Sequence, residues 1–295
     1  LRSDLIYGSA WGFSSLGPYA EKPAYDDIIQ ALSGLADLPR RRGDQSDPVY
    51  MPMTAADKTA GLMLAQALTA ALLHHARTGE GQEVEVPMFE CLTAYNLLEN
   101  MAGATFVPPV GEMGYDRNLA PFRRPYRTAD GHLAVLPYNT KQWHAFFRAA
   151  ERLDMINDAR VTDARQRSLN IAELYVIVAE IMAERTTADW LQRLEQADVP
   201  AMPINSLEDL LEDPHLTATD FFIQHEHPSE GRLRTMAIPT RLAATPGEPT
   251  RRPAPRLGEH SREILLEAGL AEGALADLIA SGAARQAGAI SAAAD

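Results

Sequence analysis

The chain has 295 residues, 46% of them apolar and 23% charged, a globular composition long enough for two domains. Its net charge of −13, from 27 Lys and Arg against 40 Asp and Glu, disfavours nucleic acid or an anionic membrane as partner. A single cysteine, Cys91, excludes an intramolecular disulfide, and no apolar run is long enough to span a bilayer, so the expected address is cytoplasmic.

The chain opens on Leu1-Arg2-Ser3-Asp4-Leu5-Ile6-Tyr7 with no initiator Met. Residues 5–10 alternate as a strand from the middle of a domain, so the expectation is a protein lacking its front part. Ile28, Ile29, Leu32 and Leu35 give helical spacing over 25–35. Residues 39–48 hold Arg40, Arg41, Arg42, Asp44 and Asp47 and read as an exposed loop or the rim of a site. Thr54 and Asp57 form a capping-box-like start to an Ala- and Leu-rich helix that ends near Gly79. Val84, Val86 and Met88 alternate with acids as a half-exposed strand, and 90–101 reads as a further helix. The stretch 103–125 is rich in Gly and Pro and reads as an irregular crossing.

An Asp130-Gly131 turn predicts a hairpin over 124–136. Helices are expected over 141–153, 171–183 and 188–196, and a second hairpin around Pro228-Ser229-Glu230-Gly231. Two closing helices follow over 260–268 and 272–280. The pattern predicts an α/β fold: the remainder of a large α/β domain over 1–110, a linker over 111–125 and a smaller α+β domain over 126–240. A C-terminal return to the large domain over 241–282 and a loose tail over 283–295 complete the division.

Several segments in order resemble one family. They are the block from Gly17-Pro18-Tyr19 to Gly79-Glu80-Gly81-Gln82, then Pro125-Tyr126-Arg127-Thr128-Ala129-Asp130-Gly131, and Arg185-Thr186-Thr187-Ala188-Asp189-Trp190 with Val199-Pro200. His227-Pro228 and Arg256-Leu257-Gly258-Glu259-His260 continue the series. Each is weak alone; together, in this order, the chain resembles the class III acyl-CoA transferases, the CaiB/BaiF family.

The resemblance implies a Rossmann-like large domain, a small domain and a homodimer of interlocked chains. It implies transfer of CoA from an acyl-CoA to a small carboxylic acid, with the CoA thioester as substrate and neither a prosthetic group nor a metal. An aspartate attacks the thioester, an acyl-aspartyl anhydride forms, CoA returns to give an aspartyl-CoA thioester, and the acceptor acid completes the exchange. The nucleophile's column in the resemblance falls on Gln45, so a one-residue shift makes Asp44 the preferred candidate, with Asp47 as runner-up. Asp26 is third. In the related 2-methylacyl-CoA racemases its position supplies one half of a His/Asp acid–base pair, which makes racemisation the alternative function. An inactive structural fragment is the second alternative. Asn118-Leu119-Ala120-Pro121 stands where the racemases show Gly-Gly-Ala-Pro, which favours the transferase. Gly111 and Gly114 match a glycine-rich lid over the nucleophile.

Arg123 and Arg124 suit a carboxylate or a CoA phosphate, because guanidinium forks match such groups. Tyr138 joins them as an expected CoA-binding residue and is expected to line the domain interface. The bland readings stand alongside: Asp44 and Asp47 as solvated loop acids, Asp26 as a cap for its own helix, the arginines as a basic surface strand, and Cys91 as a small core residue.

Overall fold

The computed structural model describes residues 2–43, 46–248 and 252–288. The first alternating run forms β1 (Tyr7–Trp11). It pairs in parallel with β2 (Glu83–Pro87), Tyr7 opposite Glu83 and Trp11 opposite Pro87. Parallel neighbours need a long crossover. Here it consists of α1 (Asp26–Leu32), α2 (Leu38–Arg42) and α3 (Ala55–Thr78).

The 24-residue α3 is built from strong helix formers and stops at Gly79, whose φ of 78° is left-handed and whose N–H donates to the His75 carbonyl at 2.8 Å. Its buried positions are small: Ala56, Ala60 and Ala71. They let it pack against α1, the two strands and α4 (Met88–Asn100). Gly8 matters for the same reason, since a Cβ there would stand 2.6 Å from the Leu68 side chain. The strand expected to run through Met88 ends one residue earlier, and α4 begins at Met88 itself.

Two expectations need correction in this region. The stretch 39–48, read as loop, opens inside α2. Pro39 sits in the first turn, where its missing N–H costs nothing, and Asp37 pairs with Arg40 and Arg41, each at 2.6 Å. The expected capping box at Thr54 does not form, because the Thr54 side chain makes no capping bond to α3.

A three-stranded antiparallel sheet follows, in the order β3 (Tyr126–Arg127), β4 (His132–Val135), β5 (Ala201–Pro203). A short helix, α5 (Asp116–Leu119), interrupts the segment read as irregular. Around the sheet lie α6 (Thr140–Ala149), α7 (Ala159–Thr162), α8 (Ala164–Leu169), α9 (Ile171–Met182) and α10 (Thr187–Gln196). The first of these starts with a capping box between Asn139 and Gln142.

The main apolar core is here. Trp190 is fully buried, stacks on Phe146 with centroids 6.3 Å apart, and donates its indole N–H to the Met182 carbonyl at 2.8 Å. A smaller cluster of Phe13, Ile29, Ala56 and Leu92 lies between α1, α3 and α4.

The β3–β4 turn is tied to α10 through one carboxylate. Asp130 accepts the Thr187 N–H at 2.8 Å and the Thr187 hydroxyl at 2.9 Å. These bonds, the backbone one first, hold the Asp130 carboxyl below its usual range. A carboxyl with a lowered folded-state pKa stabilises above its unfolded value and loses that contribution as pH falls through the lowered one. Asp130→Asn should therefore show a shallower loss of stability on the acid side than the parent chain. Urea melts at a series of pH values from neutral to strongly acid would show it, and parallel acid limbs would contradict it.

The contacts divide the chain into two compact units, Leu1–Ile204 and Asn205–Asp295. The second holds α11 (Pro214–Ala218), the hairpin of β6 (Phe222–His227) and β7 (Gly231–Met236), α12 (Ser261–Glu267) and α13 (Glu272–Ala280).

Candidate active site

Asp26 is the first residue of α1, yet it does not cap that helix through its side chain. It is 8% exposed, and its Oδ1 accepts the backbone N–H groups of Ala56 at 2.7 Å and Asp57 at 3.0 Å. It therefore caps α3, whose own Thr54 does not. Its Oδ2 accepts the Gln30 amide at 2.6 Å. Gln30 is fully buried; it donates to the Met53 carbonyl at 3.0 Å and accepts the Met51 N–H at 2.9 Å. One turn of α1 thus fixes the segment from Met51 to Asp57.

That arrangement leaves Asp57 in a distinct position. It lies in the first turn of α3, is exposed, and its carboxylate makes no hydrogen bond or ion pair among the described residues. The amides of this turn are already in use: Ala55 donates to Met53 and Lys58 to Thr54, beside the two held by Asp26. Asp47 is exposed and, among the described residues, accepts only the Ser46 hydroxyl, at 3.2 Å. Asp44 lies outside the described residues.

Two cavities adjoin this region. One of about 320 Å³ is lined by Leu35, Leu38, Arg42, Met51 and Asn118 among others. A second of about 260 Å³ runs past Ser33, Asp37, Asn96 and Met113. Both touch Asn100, which ends α4 and holds the next segment. The Gly114 N–H donates to the Asn100 carbonyl at 2.8 Å, and the Tyr115 N–H to its side-chain oxygen at 3.2 Å. Gly111, the other glycine of the expected lid, packs against Gly103, whose carbonyl accepts the Val110 N–H at 3.1 Å.

The three expected binding residues fall in two different cavities. Arg123 and Arg124 line a groove of about 310 Å³ beside β4 and the start of β5. Arg123 is half-buried and donates to the Asn118 side chain, and the Arg124 guanidinium lies 4.8 Å from the Phe122 ring centroid. Tyr138 is exposed and lines a separate cavity. No hydrogen bond or ion pair among the described residues joins Asp26, Asp47 or Asp57 to these three. Cys91 is a free thiol, and burial pushes its pKa up, which suits packing better than attack. Among the described residues, no cluster of three or more His, Cys, Asp or Glu side chains is placed to hold a metal.

Sequence reasoning did not include Asp57 among the site candidates. Its spacing from Thr54 suggested a capping box and gave it a structural role; the signal that frees it is the buried Asp26, already in place as the cap.

Fold and site together describe a mixed α/β protein that presents carboxylates on a braced loop and helix start. The sequence matches the family described as CoA-transferase family III over residues 1–261, and the chain belongs to that family. It is 30% identical over 270 residues to the succinate–glutarate CoA-transferase of Agrobacterium fabrum, covering 90% of this chain and 66% of that protein. Similarity to the (R)-2-hydroxy-4-methylpentanoate CoA-transferase of Clostridioides difficile is 29% over 272 residues, covering 91% and 67%. A solved structure of a CaiB/BaiF family protein from Brucella suis superposes with a TM-score of 0.67 at 28% identity, covering 90% of this chain and 68% of that one. The chain spans about two thirds of the length of the curated relatives it matches.

Proposed function

We propose that this chain belongs to an acyl-CoA:carboxylate CoA-transferase and carries its nucleophilic aspartate. The observation that carries the reading is the family match over residues 1–261, joined to relatives that are named CoA-transferases. An aspartate oxygen attacks the thioester carbonyl and CoA leaves as the thiolate, giving an acyl-aspartyl anhydride. The thiolate then attacks the aspartyl carbonyl and releases the first acid. The acceptor carboxylate displaces CoA from the aspartyl thioester, and the thiolate takes the new acyl group and frees the aspartate. The exchange begins and ends with one thioester and one carboxylate, so it runs without an external energy source provided the anhydride and thioester intermediates are kept from water.

Asp44 and Asp47 remain in the proposal, and the geometry adds Asp57. Asp57 combines an accessible, uncommitted carboxylate with a backbone anchored by Asp26 on a rigid element, the placement that holds a reacting atom most tightly. Asp26 itself has both oxygens engaged inside the fold, which weighs against a proton shuttle there and so against racemisation.

The reading includes a Rossmann-like large domain, a small α+β domain and an interlocked homodimer. Exposed Trp11 on β1 and exposed Leu62, Leu72 and Leu73 on α3 support it, because so much apolar surface calls for cover. The substrates are an acyl-CoA and a small carboxylic acid, and Arg123 and Arg124 are proposed to bind a carboxylate or a CoA phosphate.

Hydroxylamine trapping during turnover with succinyl-CoA, followed by peptide mass spectrometry, tests the reading. A hydroxamate on Asp57, Asp44 or Asp47 is expected. Absence of any aspartyl adduct, with deuterium entering the α-carbon of a 2-methylacyl-CoA in heavy water, would replace the transferase by a racemase.

A further inference from the structure

The cavity that Tyr138 lines contains two arginines and no acid. It measures about 170 Å³, and Arg117, Arg167, Tyr115, Trp143 and Ser168 share its wall. Arg117 is half-buried; its Nε donates to the Tyr175 hydroxyl at 3.2 Å, and its guanidinium stands 4.3 Å from the Tyr138 ring centroid. Its two terminal NH2 groups donate to no acceptor among the described residues. Arg167 is 9% exposed, with Nη1 on the Val161 carbonyl at 2.7 Å and Nη2 on the Thr140 hydroxyl at 3.1 Å.

Neither arginine forms an ion pair among the described residues. The acid nearest in sequence to Arg167, Asp163, is occupied as the cap of α8, accepting the N–H groups of Arg165 and Gln166. Burial, and then the like charge of Arg117, lower the pKa of Arg167 against a smaller opposing pull from Asp163, whereas, against its burial, the Tyr175 hydroxyl and the neighbouring tyrosines raise that of Arg117.

A purely structural account explains the contacts of each arginine singly. Arg167 braces two backbone segments, and Arg117 stacks on a tyrosine. It does not explain why two cations share one small space with no acid in its wall, in a chain that carries 40 acids. A buried guanidinium without an ion-pair partner, as Arg167 is, is costly, and a like charge beside it adds to the cost. An anion in the cavity removes both penalties, and the unused fork of Arg117 supplies its donors. The space is too small for a whole nucleotide and suits an end group.

We propose that the Arg117–Arg167 cavity is a binding site for a terminal carboxylate or phosphate group of a small molecule. The site rests on its own geometry and does not depend on the transferase reading, whose test is the aspartyl hydroxamate.

Calorimetric titration of the 295-residue chain at constant ionic strength, with glutarate, inorganic phosphate and coenzyme A in separate arms, tests it. At least one should bind saturably. Binding of glutarate alone identifies a dicarboxylate, binding of CoA together with phosphate identifies the nucleotide phosphates, and phosphate alone a free oxyanion. Arg117→Gln should weaken that binding about ten- to a hundredfold, the value of one charge-assisted contact. Ser168→Glu is an independent variant at an exposed position on the cavity wall. It supplies the missing counter-charge from within, so it should abolish binding while raising the melting temperature, a combination that a merely bracing role for the arginines does not produce. No saturable binding by the unsubstituted chain in any arm, or unchanged affinity in both variants, overturns the proposal.

Discussion

Asp57→Asn is expected to lower CoA exchange about a thousandfold or more while leaving the fold intact, since an isosteric amide cannot form the covalent intermediate. The structure separates the two effects. The bonds that position this residue run through its backbone N–H, to Asp26, and survive the substitution. Its carboxylate makes no contact among the described residues that the change would remove. The only structural loss is one favourable charge in the first turn of α3, about 0.3–1 kcal/mol at an exposed site. The melting temperature should therefore move by no more than about 3 °C. The measurement is the rate of CoA transfer from succinyl-CoA to an acceptor acid, for the variant and the parent chain side by side. Near-parent activity in Asp57→Asn would remove Asp57 from the mechanism and return the nucleophile to Asp44 or Asp47. Asp47→Asn is the matched control: an exposed acid whose one described partner is Ser46 should change neither stability nor, if Asp57 reacts, turnover by more than a few-fold.

Much of the fold was legible because period and punctuation agreed. The helix ending at Gly79 and the second hairpin around Gly231 each carry a glycine in the left-handed region, and the Asp130-Gly131 turn is marked by the acid that ties it to α10. Short elements were lost for the opposite reason. Helix α2 is five residues long, lacks a buried side and depends on Asp37 reaching two arginines, so periodicity could not reveal it. Strand β5 has three residues and exists because β4 offers an edge to pair with. The site was less legible than the fold. Local spacing made Thr54 the cap of α3, whereas the cap is Asp26, from a segment that precedes it in sequence and meets it only in three dimensions. Arg117 and Arg167 likewise carry no shared motif; only folding places them around one cavity.

Asp26→Ala should be among the most destabilising single changes in the first unit, by about 2–5 kcal/mol. The sum has two parts. Losing a helix cap costs about 1–2 kcal/mol in folded proteins. The exposed Asp57 amide can turn to water, but the Ala56 amide sits on a residue with no exposed surface. Leaving that donor unsatisfied adds about 1–3 kcal/mol. Gln30 loses its Oδ2 partner yet keeps Met51 and Met53, so it limits the damage. Asp26→Asn should cost less. Its oxygen can still accept both helix amides, but its NH2 then faces the Gln30 amide, and a Gln30 flip to accommodate it would break the Met51 and Met53 bonds. Denaturant melts give the two values, and amide exchange at Ala56 and Asp57 localises them: exchange there should quicken most in Asp26→Ala. If Asp26→Ala melts like the parent chain, Asp26 is not the cap. The bracing of Asp57 then fails as a structural argument, and with it the reason for preferring Asp57 to the loop acids.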